Sequence, residues 1–163
     1  METCLLAAGV VILVVSLGLA SASDLSNRTI PNACAVSAAL AAMPLAVSAP
    51  DLPAALGRSL SGTAVVVALL TAAASLSRRI HGRDGVGAGD IKLLGALGLW
   101  AGPVGGLAVV GGSCLLALAG RAAILRTRKC ASRATHCRDG SMPMAPAIFA
   151  AALLTYAMGL WGW

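Results

Sequence analysis

The chain has 163 residues, 58% of them hydrophobic, 11% charged and 3% aromatic, with 12 Lys and Arg against 6 Asp and Glu. A soluble domain carries about 25% charged residues to cover its surface, and disorder needs low hydrophobicity with high charge, so the composition excludes both. What remains is an all-α membrane protein, long enough for about six spanning helices of roughly 20 residues each and too short for a large aqueous domain besides.

The first apolar run covers residues 4–22 and stops at the polar stretch that begins with Ser23 and Asp24 and ends at Pro31 and Asn32. Small residues at its end (Ala20, Ser21, Ala22) suit a cleaved signal peptide. A signal peptide also needs a basic start, however, and Glu2 is the only charged side chain ahead of the run, so it reads as a retained span. A second run, 33–49, stops at Pro50-Asp51-Leu52-Pro53. The third, 60–76, ends in the polar block that starts at Ser77 and Arg78. A fourth begins near Asp90 and weakens at Gly102-Pro103, a fifth occupies 104–125, and the last covers 143–163. Runs apolar on every face are not amphipathic surface helices, and in hydrocarbon a helix satisfies its own backbone.

Basic residues orient the bundle. Placing the first loop in the cytoplasm gathers Arg28, Arg78, Arg79, Arg83, Arg121, Arg126, Arg128, Lys129, Arg133 and Arg138 on that side, with Lys92 at the same edge and Arg58 alone opposite. The expectation is six spans with both termini on the outer, periplasmic side. The basic loop between 125 and 143 then reads as an orientation signal and a contact for anionic lipid, and the net charge of +6 requires no nucleic acid.

Six acids remain to be explained. Glu2, Asp51 and Asp139 read as a terminal charge, a turn residue and a solvated loop partner. Asp24 and Asp90 are different, because each sits where an apolar run meets a cytoplasmic loop, at the same membrane depth. Asp90 also suits a helix cap, and both readings stand on composition alone. Asp84, six residues upstream in a glycine-rich loop, is its chief rival but lies farther from the membrane edge. The two glycines ahead of the acid in Gly87-Ala88-Gly89-Asp90 would let an extended peptide approach the backbone closely.

This Gly-Ala-Gly-Asp segment resembles the GxGD signature of the type IV prepilin peptidases, which are membrane aspartic proteases. Asp24 followed by Arg28-Thr29-Ile30-Pro31-Asn32 resembles the first catalytic segment of that family, and Met142-Pro143-Met144-Ala145-Pro146 its MPxxP landmark ahead of the last helix. Three landmarks in order carry more weight than one short glycine motif. The resemblance covers nearly the whole chain and is nearest the compact Flp or Tad-type branch. It implies a catalytic pair, Asp24 and Asp90, with Gly87, Gly89, Lys92, Pro31, Asn32, Met142, Pro143 and Pro146 in support. It further implies a bacterial inner-membrane enzyme that removes the basic leader of a prepilin or pseudopilin precursor at the cytoplasmic face. Larger relatives carry a cytoplasmic insertion with paired CxxC motifs and also N-methylate the product. The present chain lacks that insertion, which puts methyl transfer in doubt.

The chemistry suits two acids. Carboxylates held close share one proton, so one activates water while the other polarises the scissile carbonyl. Rival chemistries are weaker: His81 and His136 lie in basic loops, no serine stands in a GxSxG elbow, and Cys4, Cys34, Cys114, Cys130 and Cys137 form no CxxC pair. No cofactor or metal is expected. Lys92 has two open readings, electrostatic support for the acids or a structural role. The alternative function is a small transporter or channel using membrane carboxylates, which favours acids near the midplane and an internal repeat. Oligomeric state is left open by the small residues Gly105, Gly106, Gly111, Gly112 and Ser113, which suit packing within or between chains.

Overall fold

The computed structural model describes residues 2–27, 29–44, 49, 51–82, 86–130 and 144–161. Arg28, Asp84, His136, Cys137, Asp139, Met142 and Pro143 lie outside the described residues. Among the described residues the chain forms five helices: α1 (Glu2–Asn27), α2 (Asn32–Leu40), α3 (Leu52–His81), α4 (Ala88–Cys130) and α5 (Ala145–Ala157). The all-helical class expected from composition is therefore present.

The expected count of six spans is not supported by the helix lengths. Among the described residues three segments are long and apolar enough to cross a membrane: Ala7–Asn27, Leu52–Ile80 and Ala88–Ala123. The other two helices, α2 with 9 residues and α5 with 13, fall short of the roughly 20 residues that a span uses. Apolarity and helix length part company for local reasons. The second apolar run is interrupted at Ala41 and Ala42, whose backbone N–H groups bond Ser37 and Ala39 carbonyls, and is helical again at Met43 and Pro44. In α3, Pro53 stands in the first turn and Gly82 closes the C-terminus at φ 65°, with its N–H donated to the Arg78 carbonyl.

The fourth and fifth apolar runs turn out to be two limbs of α4. Gly102 interrupts the helix at φ 67° and ψ −172°, left-handed backbone that favours glycine, and Pro103 follows it. A Cβ built on Gly106 would lie 3.5 Å from the Gly98 Cα, whereas eight residues of unbroken helix would hold the two about 12 Å apart. The chain thus folds back on itself at Gly102. At the crossing α3 comes in at backbone distance: a Cβ on Gly62 would meet the Gly98 carbonyl oxygen and lie 2.6 Å from the Gly102 carbonyl carbon. Small residues let helices approach this closely where lipid supplies no hydrophobic drive for them to associate.

Around this crossing, α4 packs against α3, α5 and α2, and α1 against α2 and α5. Leu13, Leu17, Val66, Leu93, Leu97 and Ile148 fill the shared core. Trp100 is buried among them and donates its indole N–H to the Ala38 carbonyl at 2.9 Å, which ties α4 to α2. Two hydroxyl contacts add polar links between helices, Ser16 with Ser37 and Thr63 with the Gly95 carbonyl. Among the described residues every buried side-chain nitrogen or oxygen has a partner, as an apolar surround demands.

Candidate active site

Asp24 lies in the last turn of α1 and is 8% exposed. An acid there faces the negative end of its own helix, a poor position by itself. The N-terminus of α5 offsets it: the Ala145 backbone N–H donates to Asp24 Oδ2 at 2.9 Å, and Pro146 stands beside Ala145 in that first turn. Polar residues fix the chain just after α1. Ser23 donates its hydroxyl to the Thr29 carbonyl at 2.8 Å, and Pro31, at φ −61° and ψ 134°, brings the chain into α2 at Asn32.

Asp90 stands in the first turn of α4, half-buried. Helix α4 opens with the Ile91 N–H donated to the Gly87 carbonyl, which makes Gly87 the residue before the first turn. The Asp90 carboxylate accepts a hydrogen bond from the Gly87 backbone N–H. The acid at the third helical position thus reaches back to the capping residue, the reciprocal half of a capping box. Capping and site membership, separate readings on sequence, describe one geometry. The same carboxylate also feels the charge of Asp24.

The motif glycines are spaces with identifiable occupants. A Cβ on Gly87 would lie 3.0 Å from Asp90 Oδ2, and a Cβ on Gly89 would lie 3.1 Å from the Ile30 Cβ. Gly87 therefore makes room for the acid of its own motif, and Gly89 for the turn that follows Asp24. Lys92 donates from Nζ to Asn32 Oδ1 at 2.9 Å and ties α4 to α2.

These contacts enclose a cleft of about 370 Å³ whose lining includes Asp24 and Asp90, with Thr29, Asn32, Gly89 and Lys92 around them. Of the expected site residues, Asp24, Asp90, Gly87, Gly89, Asn32 and Lys92 line this one cleft. Pro31 and Pro146 shape its helix ends from outside the lining, and Met142 and Pro143 lie outside the described residues. Sequence reasoning missed three contributors. Thr29 and Ile30 sit inside the quoted segment and touch Ser23 and Gly89, but neither residue type advertises such a role. Ala145 acts through its backbone, and its only cue was its place beside Pro146.

Two carboxylates that line one cleft, each accepting a backbone N–H at a helix start, bring a candidate base and a candidate acid into the same small space. No curated protein and no solved structure matches the chain. Residues 11–120, which span both acids and all three candidate spans apart from a few terminal residues, match the family model described as the type IV leader peptidase family. By that match over most of its length, the chain belongs to the type IV leader peptidase family.

Proposed function

We propose that this protein is an aspartic endopeptidase of the membrane that removes the leader of prepilin-like precursors, with Asp24 and Asp90 as the catalytic pair. The single observation that carries the reading is that these two acids, 66 positions apart in sequence, line one cleft. One carboxylate takes a proton from water as the water attacks the scissile carbonyl. The other, protonated, donates a hydrogen bond to the carbonyl oxygen and then its proton to the departing amine. Helix starts hold one face of each acid, which limits the reorganisation needed as charge moves. Lys92, fixed by Asn32, adds a positive charge at the rim.

The site belongs to the cytoplasmic face of a bacterial inner membrane in this reading, and the basic residues support it. Arg78 and Arg79 close α3 only a few residues ahead of the Gly87–Asp90 segment, whereas the Gly102 turn, against which Arg58 packs, lies at the other end of the α4 limb.

The test is cleavage by the purified protein in vesicles, with a prepilin-like precursor from the same cell as substrate. Release of the basic leader, read by mass spectrometry, is the expected result. Proton flux without cleavage would replace this reading with that of a transporter.

A further inference from the structure

A second cavity adjoins the cleft. It measures about 470 Å³ and lies between α2, α3 and α4, with Asn32 and Lys92 belonging to the lining of both. Beyond those two residues its walls are nearly all apolar and mostly small. On α2 they are Ala35 and Ala39, which follow Asn32 at helical spacing on one face, and on α4 they are Gly95 and Leu99, which follow Lys92 in the same way. Seven residues of helix from Asn32 to Ala39 carry the groove about 10 Å from the acids, two turns along the bundle. Its polar wall group is quenched, since the Thr63 hydroxyl donates to the Gly95 carbonyl. Nothing along its length beyond the rim therefore selects a polar ligand.

From this continuity we infer that the groove seats an apolar helix of a membrane-tethered substrate whose adjoining segment enters the cleft. The inference rests on the peptidase reading above and adds to it the surface that positions the chain. The small side chains of Ala35 and Ala39 leave room for a partner helix to lie close against α2, as small residues do where α3 meets α4 at Gly62 and Gly98. A helix laid there presents side chains at i, i+3 or i+4, and i+7 to the groove, and its first residue arrives at the rim, between Lys92 and the acids.

Two substrates separate this from a lipid-filled groove. One is a prepilin-like precursor with its apolar segment, reconstituted with the enzyme in vesicles; the other is a soluble peptide covering only the leader and the junction. Ala39→Phe, which fills the groove two turns from the acids, is expected to raise KM for the full precursor about tenfold with little change in kcat. The same variant should cleave the short peptide as the wild type does. A photoreactive benzophenone side chain in place of Val36, which lines the groove and is exposed, should capture the precursor. The inference is overturned if Ala39→Phe is indistinguishable from wild type on the precursor, if both substrates suffer alike, or if the probe at position 36 captures only lipid. Failure of the wild type to cut either substrate is a different result, and it removes the peptidase reading together with the groove.

Discussion

Asp24 and Ala145 are joined by a hydrogen bond across 121 residues of sequence. The bond sets the end of α1 against the start of α5, so that one carboxylate oxygen is committed to holding the bundle together. An aspartate in this position has two tasks, and loss of its charge affects both. Three other pairs complete the frame around the cleft: Gly87 with Asp90, Gly89 with Ile30, and Lys92 with Asn32.

Gly87→Ala tests whether the placement of Asp90 matters beyond its presence. The new Cβ would lie 3.0 Å from Oδ2, so the carboxylate must move or give up its bond to the Gly87 backbone. Displacing a reacting group by a fraction of an ångström to 1 Å costs up to about 100-fold in rate, and the expected loss is between tenfold and that limit. Cleavage rate with unchanged protein level in the membrane is the measurement.

The contact between Gly89 and Ile30 offers a coupled test. Gly89→Val drives side-chain atoms into Ile30 Cγ1 and Cδ1, which already lie 3.5 Å from the Cβ position. Activity should fall, and Ile30→Ala should restore part of it, a coupling of about 0.5–3 kcal/mol of the kind that neighbouring residues show. Simple addition of the two losses would mean that the glycine serves something other than this contact.

At the other end of the bundle, Gly62→Ala probes the fold without touching the site. Its Cβ would meet backbone of α4 at Gly98 and Gly102, which cannot turn aside as a flexible side chain would. Overpacking of this kind costs about 1–3 kcal/mol. A lower thermal unfolding midpoint in detergent is expected, with the specific activity of the folded fraction largely kept.

How far the sequence alone reached is clear from particular residues. Asp24 and Asp90 were legible as unusual because acids are rare at membrane depth, and the Gly87–Asp90 segment because two glycines open a helix poorly. Helix class followed from apolar runs, and the weak point at Gly102-Pro103 was visible. Its consequence was not, because a single left-handed glycine that reverses a helix has the same composition as one that merely weakens it. The six-span count assumed that each apolar run is one helix, whereas α2 ends at Leu40 and α5 has 13 residues. The Ala145 bond to Asp24 was beyond reach, since a backbone donor leaves no mark on residue type.

The most direct measurement of the central claim is leader cleavage by Asp24→Asn and Asp90→Asn, each in its native membrane and each compared at equal protein level. The account predicts that either substitution alone abolishes cleavage while the protein still accumulates, with Asp24→Asn tolerated less well because its carboxylate also holds α5. Cleavage retained by either variant would contradict it.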